Sequence, residues 1–82
     1  MREDVTISME DSLEATPIAH LVALANQYQS QIYLEMGRTR VNAKSIMGMM
    51  SLVLVSGSAV TIDAKGTDQE EAVVAIRQFL TT

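Results

Sequence analysis

The 82-residue chain has no cysteine. Disulfides, thiolate metal sites and cysteine nucleophiles are therefore excluded. Aromatic residues make up 4% of it, too few for the stacking platforms that hold single-stranded nucleic acid. Basic residues are in deficit, with six Lys and Arg against ten Asp and Glu and a net charge of −4. That balance argues against a basic face that neutralises phosphates. There is one histidine, His20, and no nucleophile–base pair, metal cluster or phosphate loop accompanies it. The most hydrophobic window, 46–60, is too short to span a bilayer and is interrupted by Gly48, Ser51, Ser56, Gly57 and Ser58. No apolar stretch follows Met1-Arg2-Glu3-Asp4, so a secretory leader is not expected. The expectation is a soluble cytoplasmic protein that is not an enzyme, carries no cofactor or metal, and contacts neither nucleic acid nor membrane directly.

Apolar residues are plentiful at 48%. A chain of this length makes one domain, 1–82, and buries only about 60–65% of its unfolded surface. Residues 4–9 alternate, with Val5, Ile7 and Met9 on one face, and predict a half-buried strand. Thr16-Pro17 predicts a helix start, because proline in a first turn sacrifices no hydrogen bond. Ile18, Leu21, Val22 and Ala25 then recur at helical spacing, and the helix is expected to end near Asn26 or Gln27. Residues 31–36 alternate through Ile32, Leu34 and Met36, turn at Gly37-Arg38 and return over 39–42 as a hairpin. A short apolar helix over 46–54 follows, then a strand over 59–66. Thr67 and Glu70 have the spacing of a capping box for a last helix carrying Ala72, Val73, Ile76, Phe79 and Leu80 inward. The order βαββαβα, with strands that each wet one face, predicts an α+β fold: a four-stranded antiparallel sheet with three helices on one side.

Ser45 stands where the helix over 46–54 needs an N-cap. On that helix Met49, Leu52 and Val53 form one apolar stripe, and Ile46, Met47, Met50 and Leu54 form a second, about 90–100° away. One stripe suffices to dock a helix on a sheet. The second is either more core or a contact surface, and methionine suits the latter because its thioether adapts to different partners. A phosphate on a capping serine would lie beside free backbone amides and bring about two negative charges to the apolar patch. Lys44, next in sequence, is expected to help neutralise it.

The run Val41-Asn42-Ala43-Lys44-Ser45-Ile46-Met47-Gly48 resembles HPr, the histidine-containing phosphocarrier of the bacterial sugar phosphotransferase system, as found in low-GC, Bacillus-type Gram-positive bacteria. IYLE at 32–35, MSL at 50–52, and Gly66, Asp68, Glu70, Glu71 and Ala72 fit the same family. The resemblance covers nearly the whole chain. It implies an open-faced β-sandwich, in agreement with the element order above.

The first helix departs from the family pattern G-L-H-A-R-P-A, reading Ser12-Leu13-Glu14-Ala15-Thr16-Pro17-Ile18. Leu13, Ala15 and Pro17 keep the frame. Glu14 replaces the phosphoryl-accepting histidine, and Thr16 replaces the arginine that supports it. A carboxylate forms only a readily hydrolysed acyl phosphate, and its charge repels an incoming phosphoryl group. Ordinary phosphohistidine transfer is therefore not expected. His20 lies six residues past Glu14, about 9 Å along a helix. It points away from the apolar stripe and is expected to be an exposed histidine on the side that the resemblance makes partner-facing.

In the catabolite-repression HPr of bacilli the histidine is absent and the serine is kept. An HPr kinase/phosphorylase phosphorylates that serine with ATP, and the product is corepressor for a LacI-type catabolite control protein. The resemblance thus implies Ser45 as the regulatory site, with Glu14, Thr16, His20, Lys44, Ile46, Met47 and Met50 facing those partners. Glu14 and Thr16 differ from the glutamine and arginine usual in that group. A second function is open on these residues: a docking competitor of phosphotransferase enzymes, in which the Glu14 carboxylate imitates a phosphohistidine, or an atypical phosphocarrier. Both monomer and strand-exchanged dimer fit the family.

Overall fold

The computed structural model describes residues 1–8, 15–52 and 56–81. Among them are four strands and three helices: β1 Arg2–Thr6, α1 Ala15–Ala25, β2 Gln31–Met36, β3 Thr39–Asn42, α2 Ile46–Met49, β4 Ala59–Lys65 and α3 Gln69–Leu80. The strands form one sheet in the order β1-β4-β2-β3, antiparallel at every pairing. This is the α+β open-faced sandwich that the alternation predicts. Val5, Ile32, Leu34, Val60, Ile62 and Ala64 point to the helical side and are buried there. They meet Ile18, Leu21, Val22 and Ala25 of α1, Met49 of α2, and Ala72, Val73, Ile76 and Leu80 of α3 in one core. Burying each of the larger side chains contributes about 1.5–3 kcal/mol. α3 lies on β4 and β1, α2 lies on β3, and α1 packs against both other helices.

The other face of the sheet is polar. Arg2 donates to Glu35 at 2.8 and 3.0 Å and to Asp63 at 3.1 Å. Arg40 reaches Asp63 at 2.9 Å, bonds Glu35 as well, and lies 4.2 Å from the centre of the Tyr33 ring. The Arg2 hydrogen bond, assisted by Arg40, holds the Glu35 carboxyl below the usual carboxylate range. The network is solvent-exposed, so its value lies more in fixing register across all four strands than in stability.

β1 begins two residues earlier than the apolar alternation over 4–9 indicates. The ladder starts at Arg2 opposite Asp63, where the pairing is ionic and carries no hydrophobic signal. After Thr6 the chain meets a bulge. Gly57 N donates to Ile7 O at 2.7 Å while Ile7 N donates to Ser58 O at 2.9 Å, so two residues oppose one. Gly57 supplies the positive φ of +92° that this bulge requires. Met9 lies outside the described residues, as does the polar turn expected at Glu10-Asp11-Ser12. The β2–β3 turn has Gly37 at φ +60° and Arg38 at negative φ, as in a type II′ hairpin.

The expected capping box of Thr67 and Glu70 does not form. Asp68 takes the N-cap position of α3 and makes no side-chain cap bond. Its carboxylate turns instead to the α1–β2 connection. There it accepts from the amides of Gln29 at 2.8 Å and Ser30 at 2.9 Å, and from the Ser30 hydroxyl. Ser30 is the one fully buried polar side chain among the described residues, and an unpaired buried donor is costly. The long-range partner therefore outcompetes the local cap. The Ser30 hydroxyl and then the Gln29 amide hold the Asp68 carboxyl below its ordinary range. Gly66 completes the latch, because a Cβ there would come within 2.7 Å of Ser30 Cα.

Gly66→Ala is expected to cost about 1–3 kcal/mol by overpacking, measured as a lower urea midpoint at unchanged slope. A folded-state carboxyl below its unfolded value of about 3.9 contributes stability at higher pH that is lost as the pH falls through the depressed value. Asp68→Asn is therefore expected to flatten the decline in melting temperature below about pH 4, and an unchanged acid limb would rule out this role for Asp68.

Candidate functional site

Ser45 closes a connection that is pinned at several points. Ala43 N donates to Ile32 O at 2.9 Å, and Asn42 Oδ1 accepts from Lys44 N at 2.8 Å. Asn26, just past α1, donates through Nδ2 to Val22 O at 2.8 Å and Lys44 O at 3.3 Å. Lys44 Nζ donates to Tyr28 O at 2.6 Å. This corrects the expectation for Lys44, whose ammonium binds the α1–β2 connection at Tyr28, three residues past α1. Neighbours along an irregular chain need not point the same way.

Ser45 is exposed, with extended backbone at φ −105° and ψ 116°, and caps α2. Its Oγ accepts from Gly48 N at 3.2 Å. That bond occupies an oxygen lone pair and leaves the hydroxyl proton free. The amides of Ile46 and Met47 stand at the first positions of the helix, where no intrahelical acceptor exists. The site therefore offers an accessible nucleophilic oxygen and backbone donors, but no group within it that could act as base. Among the described residues, no three His, Asp or Glu are grouped to hold a metal ion.

The helix after Ser45 is shorter than the expected 46–54 and ends at Met49. Ser51 binds the Gly48 carbonyl twice, through its amide at 3.1 Å and its hydroxyl at 2.6 Å. Leu52 N then bonds Met49 O at 3.1 Å, which tightens the chain out of α geometry. Val53 and Leu54 lie outside the described residues. The two predicted stripes separate as core and surface. Met49 is 0% exposed and Leu52 is buried, whereas Ile46, Met47 and Met50 are 44%, 82% and 58% exposed. Three large apolar side chains thus remain at the surface within five residues of the exposed serine.

His20 is exposed on α1 as expected, and α1 packs beside α2. Thr16 is the second residue of α1, and Glu14 lies outside the described residues. Sequence reasoning missed the ties from Asn26 and Lys44 to the Ser45 segment. Asn42, placed two residues before an amide it could accept from, was the local signal for that turn. No helix among the described residues is long and apolar enough to cross a membrane.

A four-stranded antiparallel sheet with three helices on one side is the architecture of a known family. The family model described as the PTS HPr component phosphorylation site matches residues 1–82, and the chain belongs to the HPr family. It is 40% identical over 80 residues to the HPr-like protein Crh of Halalkalibacterium halodurans, covering 98% of this chain and 95% of that one. The phosphocarrier protein HPr from Bacillus anthracis superposes with a TM-score of 0.92 at 40% identity, over 98% and 95% of the two chains. Crh of Bacillus subtilis, described as a catabolite repression protein with a swapped domain in an intertwined dimer, superposes at 0.78 with 39% identity over 93% and 87%.

The division of labour at α2 is testable. Met49→Ala is expected to destabilise by about 2–5 kcal/mol, while Met47→Ser changes stability by less than about 0.5 kcal/mol. Chemical denaturation of both variants checks the contrast, and equal losses would mean that Met47 belongs to the core.

Proposed function

We propose that this protein is a regulatory HPr homologue of carbon catabolite repression, one cytoplasmic domain that works by binding other proteins and not as an enzyme. An HPr kinase/phosphorylase phosphorylates Ser45 with ATP, and the phosphorylated form is the corepressor of a LacI-type catabolite control protein. The observation that carries this reading is the exposed Ser45 hydroxyl bordered by exposed Ile46, Met47 and Met50. The similarity to Crh supports it. So does the presence of Glu14 and Thr16 where the family's phosphoryl transfer needs an imidazole and a guanidinium.

α2 has four residues, so a whole-helix dipole is a small part of the argument. What a phosphate gains here is local: first-turn amides within reach of its oxygens. The added charge, next to an apolar patch, matches a partner surface with basic groups around an apolar pocket. Lys44 is engaged with Tyr28, so the counter-charge comes from the partner. His20 lies on the adjacent helix and borders the same contact. The protein acts as a monomer or a dimer.

Intact mass after incubation with HPr kinase and ATP tests the reading. Wild type is expected to gain one phosphoryl group and Ser45→Ala none. A wild type that gains nothing, or a Ser45→Ala variant that gains the same mass, would overturn it.

A further inference from the structure

The chain places three methionines within four positions and gives them opposite environments. Met47 is 82% exposed and Met50 58%, while Met49 between them is 0% exposed and part of the core. Leucine would supply comparable apolar area without a reactive sulfur. We propose that Met47 and Met50 are oxidation sites, and that their conversion to sulfoxides closes the contact surface around Ser45. The inference rests on the function proposed above and adds a second, redox input to the same surface.

The chemistry needs a peroxide and no catalytic group. The thioether sulfur attacks one oxygen of the peroxide, the O–O bond breaks and an S–O bond forms. The other oxygen leaves and takes up the proton of the transferred oxygen, departing as water, or as an alcohol from an organic peroxide. Sulfur loses two electrons and the peroxide gains them. The product is polar where the thioether was apolar, and it is reversible by methionine sulfoxide reductases. Two features confine the effect to the surface. The anchor of α2 is Met49, which water and peroxide do not reach. Neither Met47 nor Met50 belongs to the core cluster, so their oxidation changes what a partner meets and not whether the chain folds.

Limited treatment with hydrogen peroxide, followed by peptide mass mapping of the folded protein, gives the order of reaction. Met47 is expected to react first and Met50 next, with Met49 unmodified until the chain is unfolded. Oxidation of Met49 at the rate of Met47 would overturn the proposal. So would a melting temperature that falls when only Met47 and Met50 are oxidised. The functional arm compares each protein's rate of Ser45 phosphorylation, with HPr kinase and ATP, before and after peroxide. Oxidised wild type is expected to slow by about tenfold or more, the scale set by losing a buried thioether contact, and to recover after reductase treatment. A Met47→Leu/Met50→Leu variant, measured against its own untreated rate, is expected to show no peroxide effect. Oxidised wild type that is phosphorylated at its untreated rate refutes the redox input and leaves the Ser45 function standing. Untreated wild type that is not phosphorylated refutes both.

Discussion

A sheet with helices on one side only has a single face on which to hide apolar side chains. Every other feature of this molecule follows from that constraint. Strands must alternate, so Tyr33, Glu35, Thr61 and Asp63 are turned to water and find their partners among Arg2, Asp4 and Arg40. Helices must each present one stripe inward, and any further apolar residue is left outside. α2 carries such a surplus. Met49 and Leu52 fill its place in the core, and Ile46, Met47 and Met50 remain at the surface because no second layer exists to receive them.

A one-layer core also leaves the connections to be fixed by polar contacts. Two sets do so. At one end of the helical layer, Asp68 binds Gln29 and Ser30, joining the start of α3 to the start of β2. Next to it, Lys44 binds Tyr28 and Asn26 binds Lys44, joining the end of α1 to the segment that presents Ser45. The loop from 26 to 30 is common to both. Order at the serine therefore depends on a carboxylate on another element, which a reader following the chain from 42 to 48 would not suspect.

What was legible in the sequence is what depends on periodicity. β2 occupies the residues that alternation indicated and β3 those that follow the turn at Gly37-Arg38, β4 ends one residue earlier, and the exposed trio at α2 follows from two stripes on one short helix. What escaped depends on direction or on distant partners. Arg2 opens β1 through an ionic pairing, so the strand begins before its hydrophobic pattern. Thr67 and Glu70 have capping-box spacing, but Asp68 has a buried serine to satisfy and takes the cap position itself. Lys44 is adjacent to Ser45 in the chain and turned from it in space. The family's motif at Gly66 and Asp68 proves structural: one admits the Ser30 backbone and the other bonds it.

The four-residue length of α2 has an evolutionary consequence. So short a helix has no stability of its own and is held by Ser45 at its start and Met49 beneath it. The three outward positions are therefore nearly uncoupled from folding. Substitutions there can accumulate or be exchanged between paralogues without loss of the native state. Such a scaffold lets the chemistry of that surface change one residue at a time and registers none of the changes.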